Sequence, residues 1–301
     1  MAAEGIRSVL AATDLGPASE PVVAAAAALA RRLDAELHLV HALEIERLPD
    51  LEHPSFPARI RQAEELLAEL RRRAAAPVPP ASAVVVNHAA HQAVEDRARE
   101  VAAGIIVVGP HRGGDVGAHF LGTSADRVIR TAQVPVLVVR RALALPVARM
   151  GVPTDFSEPS HGAMDLALRL AEPLAGGGGG GEIVVFHAAW VVEQDEAAAR
   201  ATLESSLEKA VKTALERAGG VAGVPVRTAL AWGVSPVKTI ARYAEEHQLD
   251  LLVMGTHGHG GLRRMIAGSV ASGVARQATC SVLLAAPRSR AVGGEDGRER
   301  A

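Results

Sequence analysis

Leu251-Leu252-Val253-Met254 runs straight into Gly255-Thr256-His257-Gly258, and after nine further residues comes Gly268-Ser269. The apolar run reads as a buried strand and the glycines as a loop. Ser269 to Ala278 reads as a helix, with Val270 and Val274 one turn apart. Glycines let a backbone come close to an anion, and a helix N-terminus offers unpaired N–H groups with a favourable dipole. Strand, loop and helix therefore carry the chemistry of a phosphate cradle.

An altered copy stands upstream, as Gly109-Pro110-His111-Arg112 followed by Gly122-Thr123. A shift of 146 residues aligns His41 with His187, Gly109 with Gly255, His111 with His257 and Gly122 with Gly268. The same shift sets Arg130 on Arg276 and Val136-Leu137 on Val282-Leu283 without a gap. Glycines at fixed intervals mark an internal duplication rather than chance likeness between alanine-rich segments. Thr13-Asp14 aligns with Thr154-Asp155 at a shift of 141, so the difference falls at Gly176 to Gly181, which reads as an inserted flexible loop.

Each half alternates strand and helix. In the second, Ala148 to Pro153 is a strand, and Ser157-Glu158-Pro159 opens a helix with Ser157 as N-cap. Ile183 to Phe186 is a strand, Leu203 to Ala218 a helix ended by Gly219-Gly220, and Val224 to Ala231 a strand. Pro236 to Gln248 is a helix, and Leu249 to Met254 and Ser281 to Ala285 are strands. Short apolar strands joined by helices predict parallel sheets covered on both faces, with right-handed crossovers. The expectation is an α/β chain of two tandem doubly wound domains, 1–141 and 147–287, with Arg140 to Pro146 as a short link. Residues 288–301, charged and glycine-rich, are expected to be a disordered tail.

The 301 residues suit two domains, and a hydrophobic content of 49% with only 2% aromatics implies cores of Ala, Val and Leu. A net charge of −2 gives no basic footprint for nucleic acid. Cys280 is the single cysteine, which fits a reducing compartment and a core position. No signal-peptide layout or spanning segment is evident, so a cytoplasmic protein without membrane attachment is expected.

In a doubly wound sheet, ligands sit beyond the carboxyl ends of the strands where strand order reverses. Asp155 follows the first strand and Gly255 the fourth, so neighbouring strands would bring both to one crevice. Asp155 could then hold magnesium through water, or a ribose hydroxyl, or serve only as a turn carboxylate. No G-x-x-x-x-G-K-[ST] and no G-x-S-x-G occurs, and the poly-Gly run follows a helix, the reverse of the dinucleotide context. His257 with His259, and His88 with His91, lack further metal ligands nearby in sequence. Arg263 and Arg264 read as a solvated loop face or a phosphate contact. His41 and His187, each ending a second strand, read as hydrogen-bonded to a neighbouring loop or as crevice lining.

Val152-Pro153-Thr154-Asp155-Phe156-Ser157, the strand ending in His187, and Gly255-x2-Gly258-x9-Gly268-Ser269 together resemble the universal stress protein family, over residues 5–140 and 147–286. The resemblance implies five parallel strands per domain in the order 3-2-1-4-5, with ATP bound between strands one and four. It also implies an internal pseudo-dimer through the last strands, with a further homodimer left open. By position, Pro153, Thr154 and Asp155 would meet the adenosine and metal, and Ala188 would help to wall the adenine. Met254, Gly255, Thr256, His257 and Gly258 would line ribose and phosphates, and Gly268, Ser269 and Val270 would hold phosphates. Alanine at 188 offers less apolar contact than valine would. In the first repeat Arg112 stands for the second glycine and Ala12 for the proline. A Cβ at a position needing φ > 0 costs about 1–2 kcal/mol, so a degenerate first site is expected, unless Gly113-Gly114 supply the flexibility.

The leading expectation is an ATP-binding stress-response protein that acts through nucleotide-dependent conformation or a protein partner of unknown identity. No general base or nucleophile is evident near the cradle, so catalysis would be limited to slow ATP hydrolysis. A phosphate- or adenylate-transferring enzyme and a scaffold that has lost nucleotide binding are the alternatives.

Overall fold

A computed structural model describes the chain except for residues 1–5, 18, 46–51, 75–80, 88, 111–120, 176–179, 191–195, 257–268 and 287–301. The first repeat runs β1 (Ser8–Thr13), α1 (Ser19–Leu33), β2 (Glu36–Glu44), α2 (Phe56–Arg73), β3 (Ala81–Asn87), α3 (Ala90–Glu100), β4 (Ile105–Val108), α4 (Thr123–Thr131) and β5 (Val136–Val138). The second runs β6 (Arg149–Pro153), α5 (Glu158–Ala175), β7 (Glu182–Ala189), α6 (Glu196–Ala218), β8 (Val226–Trp232), α7 (Pro236–Glu246), β9 (Leu251–Gly255), α8 (Ser269–Gln277) and β10 (Ser281–Ala285).

All ten strands form one sheet in the order β3-β2-β1-β4-β5-β10-β9-β6-β7-β8. Each half therefore reads 3-2-1-4-5, and pairing is parallel except at the centre. There β5 meets β10 antiparallel, with Val138 opposite Val282 and Val136 opposite Leu284. Every residue of β4, β5 and β10 is buried, as the unbroken apolar runs of a two-sided sheet require. The two larger cores lie on opposite faces, beside a small cluster of Leu43, Ile45 and Phe56. One packs α1, α2, α5 and α6 against the sheet and the other packs α3, α4, α7 and α8, and each spans both repeats.

The junction is specific. The Arg140 guanidinium donates to the carbonyls of Arg276 at 3.0 Å and Ala278 at 3.3 Å, satisfying the C-terminal end of α8. Arg276 in turn donates to Asp126 of α4 at 2.9 Å.

Gly181 is less free than the composition of its run suggests. A Cβ on Gly181 would lie 2.6 Å from the carbonyl oxygens of both Ala175 and Val147, so this glycine is wedged between the end of α5 and the start of the second repeat. Gly176 to Gly179, like the 288–301 tail, fall outside the described residues.

Candidate functional site

The turn after the first strand of each repeat is built twice by the same bonds. In the second repeat the Thr154 hydroxyl accepts from the Phe156 amide at 3.0 Å and shares a 3.0 Å bond with the Ser160 hydroxyl. Asp155 Oδ1 accepts from the Ser157 amide at 3.1 Å and from its hydroxyl. In the first repeat the Thr13 hydroxyl takes the Leu15 amide at 3.0 Å and donates to Ser19 at 2.6 Å, and Asp14 Oδ1 takes the Gly16 amide at 2.9 Å. These bonds hold Leu15 and Phe156 at φ of 60° and 63°, a left-handed conformation that side chains rarely adopt. The Thr-Asp pair thus sets the exit angle from the strand, and Asp155 Oδ1 works as a turn carboxylate. Ser160 and Ser19, which complete the network from the first helical turns, were not singled out by the sequence reading.

His187 and His41 fasten the same turn from the neighbouring strand. His187 Nδ1 bonds the Thr154 carbonyl at 2.7 Å, and its ring lies 4.9 Å from the Phe156 ring. His41 Nδ1 bonds the Thr13 carbonyl at 2.9 Å. Both imidazoles are therefore structural pins for the strand-one turn, the loop-bonding alternative of the two weighed above.

β6 lies beside β9, with Met150 opposite Leu251 and Gly151 opposite Leu252, so the Pro153–Asp155 turn and the Met254–Thr256 loop start leave neighbouring strands at the same edge. Met254 is buried, while Ala188 and Val270 are half-buried against the same core. Ser269 is exposed at the start of α8. Gly255 has a packing reason of its own: its Cβ would lie 2.7 Å from the Pro159 carbonyl oxygen in the first turn of α5. Thr256 points elsewhere than expected, since its buried hydroxyl donates to the Ala285 carbonyl at the end of β10. His257, Gly258 and Gly268, with His259, Arg263 and Arg264, lie outside the described residues, as do Arg112 and His88.

The first repeat shows what its switch point holds. A cavity of about 270 Å³ lies beyond β1 and β4, walled by Val40, Ala42 and Glu44 of β2, by Val94 of α3, and by Val108 and Val128. Asp14 and the start of α4 complete its rim. One amide expected to face an anion there is engaged internally, because Gly122 N–H donates to the Pro110 carbonyl. Glu44 Oε1 accepts from the Ala90 amide at 2.9 Å and so caps α3.

A metal fits poorly as a resident group. Among the described residues no three His, Cys, Asp or Glu side chains cluster to hold one. A single carboxylate such as Asp155 suits a magnesium ion that arrives on phosphates, not one held by the protein alone. Cys280 is fully buried, and burial pushes its thiol up to about 11, as for a core residue.

These features define a tandem doubly wound α/β protein with a strand-order switch point in each repeat. The sequence model of the universal stress protein family matches residues 5–140 and 147–286, and the chain belongs to that family. A universal stress protein of Methanocaldococcus jannaschii is 45% identical over 62 residues, which is 21% of this chain and 36% of that protein. Another, from Thermus aquaticus, is 32% identical over 137 residues, covering 44% of this chain and 98% of that one. Among solved structures, a universal stress protein from Archaeoglobus fulgidus matches with a TM-score of 0.66 at 20% identity, over 93% of this chain and 98% of that one. A putative universal stress protein from Pseudomonas aeruginosa gives 0.63 at 18% identity, over 95% of each chain. Among the described residues no helix is long and apolar enough to cross a membrane.

Proposed function

We propose that the chain is a cytoplasmic stress-response protein that binds an adenine nucleotide, ATP foremost, in the second repeat and acts through nucleotide-dependent conformation or partner binding. The supporting observation is the adjacency of β6 and β9, which sets Pro153–Asp155 and Met254–Gly255 at one edge with the N-terminus of α8 following the glycine loop. Family membership and the cavity at the matching place in the first repeat support the same reading. ATP would supply its own phosphate charge for the amides of Gly255 to Gly258 and of Gly268-Ser269. Magnesium would travel with it and lie near Asp155.

The first repeat is the weaker site in this proposal. Its cavity wall carries the carboxylate of Glu44, where the second repeat has Trp190, and the Gly122 amide is already engaged. Polyphosphate meets repulsion there that uncharged ligands do not. Equilibrium titration with ATP tests the reading, using Gly258→Arg, which copies the first repeat's Arg112, as the control. Binding lost in the control supports it, and two equivalent sites in the wild type would refute the asymmetry.

A further inference from the structure

We propose that Trp190 is the stacking platform for the planar base of the ligand in the second repeat and sets that site's preference for an aromatic group. The inference rests on the nucleotide reading of that repeat, and it starts from the cavity of the first.

Along β2, Val40, Ala42 and Glu44 alternate onto one face and wall that cavity. The 146-residue repeat places Phe186 and Ala188 of β7, and Trp190 directly after the last residue of that strand, at the corresponding positions. Phe186 and Ala188 belong with the same core as Val40, so the facing is preserved. Phe186 is fully buried and stacks on Tyr243 of α7 at 4.2 Å, a bulkier ring where the first repeat has Val40. Ala188 leaves a shallow wall. Trp190 then takes the position that corresponds to Glu44 of the first repeat.

Trp190 is 62% exposed, a state that forfeits most of the apolar burial a tryptophan ordinarily gains. Nor does it inherit the structural task of its counterpart. Glu44 caps α3 by accepting from the Ala90 amide, whereas the matching residue of α7 is Pro236, which has no N–H to cap. The position is thus released from capping and filled with the side chain best suited to cover a flat heteroaromatic ring. A base seated over Ala188 would gain from Trp190 the apolar face that alanine does not provide.

The test uses the full chain with ATP as the probe. The chain has two tryptophans, so the Trp232→Phe variant makes Trp190 the sole indole reporter. ATP is expected to quench its emission. Trp190→Ala should weaken ATP binding about tenfold, the usual scale for losing one base-stacking aromatic. Trp190→Phe should restore most of the affinity, while Trp190→Leu, apolar without a π face, should not. Unchanged ATP affinity in Trp190→Ala overturns the inference while leaving nucleotide binding intact, and so does a Leu variant equal to Phe. Absence of ATP binding in the wild type overturns the nucleotide reading and this inference together. Exposure of the Trp190 side chain means that none of the Trp190 variants disturbs the core.

Discussion

Arg276 of the second repeat donates to Asp126 Oδ1 of the first at 2.9 Å, on the same carboxylate whose Oδ2 is held by Arg130 Nε at 2.7 Å. Arg130 and Arg276 are repeat-related, but the counterpart of Asp126 is Ser272, so one acid serves both arginines and the junction is not symmetric. Burial pushes the Asp126 carboxyl up, yet the guanidinium groups of Arg130 and Arg276 outweigh it and hold the group below its ordinary value.

Asp126→Asn should destabilise the chain by about 1–2 kcal/mol at neutral pH. Because the folded carboxyl titrates lower than the unfolded one, its contribution is present above the unfolded pKa and disappears as pH falls through the folded value. Urea unfolding at pH 7 should separate wild type from variant, and the gap should narrow as pH falls through the ordinary carboxylate range and below it. A gap that does not narrow with falling pH would show that packing, not charge, carries the junction.

Gly255 has two reasons to be glycine, and they can be told apart. Gly255→Ala puts a Cβ 2.7 Å from the Pro159 carbonyl oxygen, a backbone atom that cannot step aside cheaply. A loss of about 1–3 kcal/mol in ligand-free stability is expected, read from denaturant midpoints. Full stability in that variant would return the glycine to ligand contact alone.

Thr154 is buried and serves the Phe156 amide and the Ser160 hydroxyl at once. Thr154→Val keeps the shape, strands the Phe156 amide and removes one bond of the Ser160 hydroxyl, which still donates to the Ser157 carbonyl, so about 1–3 kcal/mol should be lost. Ser160→Ala, which removes the bonds to Thr154 and to the Ser157 carbonyl but leaves the Phe156 amide satisfied, should cost less. Equal costs would contradict the shared role of the hydroxyl.

Cys280 should resist thiol reagents in the native state. Burial chiefly, with Asp250 adding to it, outweighs Arg141 and raises the thiol to about 11, so thiolate is scarce at pH 8. Labelling by a disulfide reagent at pH 8 should proceed only on unfolding in urea, and rapid native labelling would count against the buried placement.

Much of this fold was legible in the sequence because its strands are unbroken apolar runs and its repeat preserves glycine spacing. Ser281 to Ala285 was read at its observed limits, and Arg149–Pro153 with one residue too many, Ala148, at its start. Helix α6 begins at Glu196, not Leu203, because Ala197 to Ala199 favour helix strongly yet carry no large apolar residue to mark a face. β7 continues past Phe186 to Ala189 for a similar reason, since His187 and two alanines dilute the pattern. The Thr-Asp motif was visible, but its bonding was not. That Asp155 Oδ1 is spent on the Ser157 turn, and that Thr256 faces Ala285, depend on atoms brought together by the chain path and not by spacing. Gly181 likewise looked like free linker until Val147 and Ala175 closed around it.

Calorimetric titration of ATP into the intact protein counts its competent nucleotide sites. A stoichiometry of one, in the second repeat, is expected, abolished by Gly258→Arg and unaffected by Glu44→Gln in the first repeat. Two equivalent sites, or one site indifferent to Gly258→Arg, would contradict it.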